Sequence, residues 1–311
     1  MKILVTGGTG YVGQEIVRRL RETGHPVRIL ARNPDSEEAR RLVSQYQVEV
    51  HAGDVMDADS VAGSLNGIHA VIHLVGIISE VGTNTFENIH VRGTENVVCA
   101  AQQAGVKRFV HMSALGTRPN AVSRYHQTKW VAEEFVRRRG LDFTIFRPSL
   151  IFGPRDQFVN LFAKMSRFSP VLPVMGKGTA HFQPVSVQVV AEAFVRALEE
   201  PRTIGQTFDL SGPDTLTFPE ILDDILSVSK RKRLKVRIPT PLARLQAAVL
   251  EFVFPLLLRK APPLNCDQLV MLEEGNIGNA KPANDILKLQ QIGFRDGISY
   301  LRSAKPRSRT P

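Results

Sequence analysis

A chain of 311 residues, 43% hydrophobic and 23% charged, can bury a sizeable core and is neither a disordered nor a fibrous composition. Its two cysteines, Cys99 and Cys266, are too few for a disulfide framework and lack metal-ligand spacing, so a reduced cytosolic setting and no metal site are expected. The net charge of +10 favours anionic partners, but no aromatic-studded RNA-binding motif or zinc-finger spacing accompanies it, and no nucleic-acid partner is expected.

In chain order, short β-branched runs alternate with longer helical patterns. Strands are predicted at Lys2–Thr6, Val27–Ala31, Val48–His51, Ala70–Val75, Arg108–Ser113 and Phe143–Arg147. Helices are predicted between them at Tyr11–Glu22, Ser36–Gln45, Ala58–Leu65, Thr85–Ala104 and Ser123–Arg139. This alternation predicts an α/β fold of the Rossmann type, a doubly wound parallel sheet covered on both faces. After Pro148 turn-rich stretches and short helices take over. The expected organisation is a nucleotide-binding domain over 1–150 and a smaller, mostly helical substrate or lid region over 151–303, partly interleaved with the first. A basic, frayed tail follows over 304–311. The start, MKILVTGGTG, runs straight into a strand, so no signal peptide is expected. The longest greasy segment, Ala247–Leu258, is interrupted by Glu251 and Pro255 and is not read as a membrane span.

The first strand ends in Gly7-Gly8-Thr9-Gly10-Tyr11-Val12-Gly13, a glycine fingerprint between a strand and a helix. Glycine allows the tight turn and the approach of a pyrophosphate, and the amides of Thr9 to Gly13 open a helix that points its N-terminus at the phosphates. The second strand ends in Ala31-Arg32-Asn33, with no carboxylate before Asp35. A guanidinium there suits a 2′-phosphate, so NADP(H) is expected in preference to NAD(H); the alternative is a solvated surface arginine. Asp54 and Val55 after the third strand are placed to hold the adenine, and Val75 and Gly76 after the fourth lie under the cofactor.

Tyr125 and Lys129, four apart on a helix, share one face. A free tyrosine ionises near pKa 10, and a nearby ammonium and a cationic nicotinamide are expected to lower that value. His69 and His73 flank an extended run of roughly 13 Å and cannot share one metal.

With the glycine loop, the segments Asn88–Val97, Phe109–Ala114, Tyr125–Lys129 and Phe146–Pro154 resemble the atypical short-chain dehydrogenase/reductase superfamily over nearly the whole chain. The segments Phe182–Val187, Phe208–Pro213 and Asp267–Glu274 resemble one epimerase/dehydratase-like subgroup, that of the nucleotide-binding accessory subunit of respiratory complex I and its bacterial relatives. The resemblance implies that Tyr125 is the acid/base, that Lys129 also binds the nicotinamide ribose, and that Ser113 polarises a substrate carbonyl. It further implies that Asn88 supports a proton-relaying water and that Pro148 borders the cofactor.

The leading expectation is therefore an NADP(H)-dependent oxidoreductase on a small carbonyl or hydroxyl substrate. A non-catalytic NADP(H)-binding accessory or assembly protein of a respiratory or membrane complex is the rival, and a nucleotide-sugar epimerase or dehydratase the weaker third. Two features bear on partners. Ser229–Arg237 reads as an edge strand with one charged face, or else as an anionic docking patch. Leu242–Leu258, apolar almost all round, is expected to pack inside the substrate region, with membrane-surface or partner docking as the alternative.

Overall fold

The computed structural model describes residues 1–258 and 261–303; the basic tail expected over 304–311 lies outside them. Six parallel strands of the first half, β1 (Ile3–Thr6), β2 (Val27–Ala31), β3 (Glu49–Ala52), β4 (Ala70–His73), β5 (Arg108–Met112) and β6 (Asp142–Pro148), form the main sheet. Its order is β11-β6-β5-β4-β1-β2-β3, where β11 (Gln206–Leu210) is a seventh parallel strand. β1, β2 and β4 are buried throughout, because helices cover both faces. The covering helices are α1 (Tyr11–Glu22), α2 (Glu37–Tyr46), α3 (Ala58–Ser64), α4 (Gly93–Gln103) and α5 (Arg124–Arg138). Ser36 caps α2 and Ser123 caps α5 through their side chains, which is why those helices begin one residue after each serine. The helix expected over Thr85–Ala104 divides. Its first part, Glu87–Arg92, is wound as wider π-helical turns before α4 takes over.

The strand order reverses between β1 and β4, so a crevice opens at their carboxyl ends. β4 stops at His73, short of the expected Val75, and Leu74 donates its amide to the Thr6 carbonyl beside the glycine loop.

The second half adds β7 (Ile151–Phe152), α6 (Gln157–Phe168), β8 (Val171–Met175), β9 (His181–Phe182), β10 (Val185–Ser186), α7 (Val187–Ala197), β12 (Leu216–Thr217) and α8 (Phe218–Val228). Beyond these lie β13 (Leu234–Ile238), α9 (Thr240–Leu258), α10 (Cys266–Glu274), α11 (Lys281–Leu287) and α12 (Phe294–Gly297). α7 packs on α1, with Val190, Ala193 and Phe194 in one core with Ile16, Val17 and Leu20. A second core gathers α6, α8 and β8 around Phe162, Leu172, Phe218 and Leu222.

The expected burial of α9 is corrected. Its inward face buries the small Ala243 and Ala247, packed near Met175, Ile238 and Leu269, with Leu250 and Phe254 half-buried further along. Leu242, Leu245, Val249 and Phe252 point outward. A helix apolar on all sides cannot declare its buried face by periodicity, and the close approach here is made by alanines. The side chains of 256–260 lie outside the described residues.

Candidate functional site

Gly7 takes φ +76°, and a side chain there would press on the Leu74 and Val75 backbone at 3.3 Å. A Cβ on Gly13 would come 2.2 Å from the Gly7 carbonyl oxygen, so the helix seats on the strand end only with glycine at this position. Gly10 stands at the N-cap of α1 without a side-chain cap. The first-turn amides of α1 thus have no capping side chain. Tyr11 contributes its backbone to that turn, while its ring leads to Gly153. The neighbouring Val12 is buried, and the Thr9 carbonyl accepts from Gln14 Nε2 at 2.7 Å.

Around this loop stand three arginines. Arg32 is exposed at the carboxyl end of β2, next to Asn33, whose Oδ1 accepts the Asp35 amide at 3.1 Å. Arg41 of α2 and Arg155 of the loop before α6 both donate to Gln14 Oε1. None of the three has a carboxylate partner among the described residues. The sequence singles out Arg32 and not the other two. Arg41 is one cation in a charged helix and Arg155 lies 141 positions from Gln14, so neither carries a local signal.

After β3, Asp54 closes a turn, its Oδ1 accepting the Met56 amide at 3.0 Å. Val55 is buried against Gly93, and its carbonyl accepts from Asn96 at 2.9 Å. Across the switch point, Val75 is half-buried, and a Cβ on Gly76 would lie 2.9 Å from Lys129 Nζ.

Lys129 is buried and donates to the Met112 carbonyl at 3.2 Å. Burial pushes its pKa down to about 8. Tyr125, one turn earlier, stacks edge-on against Phe86, His90 and His126. Its hydroxyl makes no hydrogen bond within the described chain. In the chain without a nucleotide, burial, and then the Asp267 carboxylate, push its pKa up to about 12; the expected fall refers to the site with a nicotinamide bound. Ser113 is buried at the end of β5, its hydroxyl donating to Thr117 at 3.3 Å. Pro148 ends β6, and its carbonyl receives the Leu115 amide at 2.9 Å.

Asn88 turns to the preceding loop, donating to the Thr83 carbonyl at 2.8 Å. From the same π-helical turns it is His90 that faces the tyrosine and lysine. His90 Nδ1 lies 2.9 Å from the Thr128 hydroxyl, and Nε2 contacts the Ile77 backbone at 3.1 Å. His73 is held between the Thr6 and Thr94 hydroxyls at 2.7 and 3.1 Å, and stacks on His111. Burial first, and Lys129 after it, hold His90 down at about 2 and His73 at about 3. These imidazoles are neutral. His69 is elsewhere, accepting the Lys2 amide at 3.1 Å.

The C-terminal half reaches this site through α10. Asp267 accepts from the Ser123 hydroxyl and from the amides of Arg124 and Tyr125, each at 2.9 Å, and so closes the N-terminus of α5. Asn265 donates to the Ile78 carbonyl and the Ser79 hydroxyl, both at 2.7 Å, holding the loop after Gly76. Beyond Ser113 a cleft of about 540 Å³ opens between Leu115, Gly116, Arg118, His181, Asn276 and Ile277. A second hollow of about 250 Å³ shares Ala180 with it and reaches Met175, Thr240 and Leu272.

A parallel sheet with a glycine loop at its switch point, and a tyrosine–lysine helix beside it, defines a nucleotide-binding α/β protein of the short-chain dehydrogenase/reductase type. The chain belongs to the NAD dependent epimerase/dehydratase family, whose model matches residues 3–210. It is 31% identical over 277 residues to the mitochondrial NADH dehydrogenase (ubiquinone) 1 alpha subcomplex subunit 9 of Arabidopsis thaliana, covering 88% of this chain and 68% of that one. The mouse protein of the same name is 31% identical over 76% of this chain, which spans 63% of its length. The 3 beta-hydroxysteroid dehydrogenase/Delta 5-->4-isomerase of Mycobacterium tuberculosis is 30% identical, over 78% of this chain and 73% of its own. Among solved structures, UDP-glucose 4-epimerase of Thermotoga maritima superposes with TM-score 0.77 at 19% identity, covering 97% and 98% of the two chains. UDP-glucuronic acid 4-epimerase of Bacillus cereus, in complex with UDP-glucuronic acid and NAD, gives 0.75 at 18% identity, covering 98% and 100%.

Proposed function

We propose that this chain is an NADP(H)-dependent oxidoreductase acting on a small carbonyl or hydroxyl substrate. The observation that carries the reading is the placing of the buried Lys129 amine over Gly76, where a Cβ would lie 2.9 Å from Nζ, beside a tyrosine whose hydroxyl has no partner among the described residues. Burying an amine there is costly and serves no packing purpose that an apolar side chain would not serve better.

A nicotinamide bound beside Gly76 would supply the hydride donor or acceptor and, when oxidised, a positive charge favouring the phenolate. Tyr125 would give its proton to a substrate oxygen during reduction and take it back during oxidation. Lys129 would lower the cost of the phenolate and hold a ribose hydroxyl. Ser113 would turn its hydroxyl from Thr117 to the substrate carbonyl. The loop of Gly7 to Gly13 fits a pyrophosphate, and Arg32, with Arg41 and Arg155 on Gln14, fits a 2′-phosphate. Asp54 and Val55 would border the adenine; Val75 and Pro148 would line the crevice.

A second reading, an NADP(H)-binding accessory protein of a respiratory complex, is favoured by the existing Ser113–Thr117 bond and the high Tyr125 pKa. The names of the Arabidopsis and mouse relatives support it too. Thermal melting with NADPH, NADP⁺, NADH and NAD⁺ in parallel, followed by a carbonyl screen with Tyr125→Phe, separates the readings. Stabilisation by the phosphorylated pair, with turnover lost in Tyr125→Phe while binding persists, is the enzyme's result. The same stabilisation with wild type and variant equally inert supports the accessory role. No shift from any nucleotide overturns both.

A further inference from the structure

The surface built by β13 and α9 is apolar and cationic together, and nothing in the described fold covers it. Leu242, Leu245, Val249 and Phe252 are 56%, 63%, 52% and 72% exposed. At intervals of three, four and three residues they fall on one stripe of α9, opposite the alanines that touch the body. The stripe does not end with the helix. β13 pairs with β8 in parallel, and the sheet face bearing Leu234 and Val236 is open, with Leu234 71% exposed. α9 covers only the far end of that face, at Ile238 and Met175. Single exposed apolar residues are ordinary on soluble proteins, but six large ones on two consecutive elements are not.

Charge narrows what the occupant can be. Residues 229–250 contain seven lysines and arginines and no acidic residue. Arg231 and Arg233 are spent on the carbonyls of Ala163 and Ser166 at the end of α6, while Lys235 pairs with Asp223 and Arg244 with Glu273. Lys230, Lys232 and Arg237 are exposed, with no acidic partner among the described residues. A second copy of this chain would bring the same cations against themselves. No helix among the described residues is long and apolar enough to cross a membrane, so a stripe of this kind can lie in an interface but not span it.

We infer that α9 and β13 dock the protein on the surface of an anionic phospholipid bilayer. The stripe from Leu242 to Phe252 enters the headgroup boundary, and Lys230, Lys232 and Arg237 engage the lipid phosphates. This inference is independent of turnover, since it uses no residue of the tyrosine–lysine site.

Flotation of the full chain with vesicles of phosphatidylcholine alone, or mixed with phosphatidylglycerol, tests it. Binding is expected only to the mixed vesicles and is weakened by salt. Leu245→Asp with Phe252→Asp, and separately Lys232→Glu with Arg237→Glu, are each expected to weaken it by about tenfold or more. Both pairs are exposed, and unchanged melting midpoints show that the fold survives. No flotation of the wild type at low salt overturns the inference. So does binding that survives the apolar substitutions, which would be electrostatic adhesion alone. A solution dimer dissociated by the apolar variant overturns it as well, because the stripe would then be covered by a second copy.

Discussion

Lys129 is buried beside the neutral imidazole of His90, with the Met112 carbonyl as its hydrogen-bond partner. Its folded pKa of about 8 lies below the ordinary 10.5, so between those values the unfolded chain holds a proton that the folded chain has released. Stability from this group therefore rises with pH across that window, and below pH 8 the whole penalty is felt, on the order of 3 kcal/mol. Lys129→Met should raise the melting midpoint at pH 7 and flatten the rise above pH 8, while weakening nucleotide binding. Melting curves of both proteins against pH check this; parallel curves would count against the burial. The neighbouring carboxylate offers a second test. Asp267→Asn keeps one acceptor oxygen, turns the other into a donor and removes the charge, so the Tyr125 pKa should move down from about 12 in an ultraviolet titration. The glycine loop and the tyrosine–lysine spacing were readable because their chemistry is local. Asp267 was not readable in this role, lying 144 positions from the serine it holds. Nor was the stacking of His73 on His111, which exists only through the register of β4 against β5.

At the scale of elements, α5 is fixed to β6 by a carboxylate. Glu133 is fully buried and receives both Arg147, at 2.8 and 2.6 Å, and Arg137, at 2.5 Å. The two guanidiniums also stack on Trp130. Removing Glu133 leaves Arg147 without its carboxylate partner, while Arg137 keeps Glu134. Glu133→Leu should cost about 3–5 kcal/mol in denaturant unfolding. A loss below about 1 kcal/mol would mean that water reaches the arginines. Helix positions in the first half followed from apolar spacing and from serine caps. α9 shows the limit of that method, since a helix apolar on every side gives a length and a type but no orientation.

In the whole molecule the nucleotide-binding half is incomplete without later residues. α7 covers the apolar face of α1, and β11 pairs with β6 from Thr144 to Pro148. Arg108, from β5, ties them in with bonds to Thr144, to the Ala197 carbonyl and to Thr203. A fragment ending at residue 150 should therefore fail to fold, showing dye-accessible apolar surface and no nucleotide-dependent melting shift. A cooperative transition in that fragment would show that the first six strands suffice. The break in rhythm after Pro148 was visible in the sequence. The return of 206–210 to the first sheet was not, because a five-residue strand carries no mark of its partner.

The late arrival of β11 also governs how the protein is born. At ordinary rates of synthesis, roughly 3–12 s pass between the end of β6 and the strand that closes the sheet. Through that interval the outer edge of β6 and the bare side of α1 are presented to the cell without their covers. Production of this protein should accordingly depend on what shelters a nascent chain more than on the stability of the finished one.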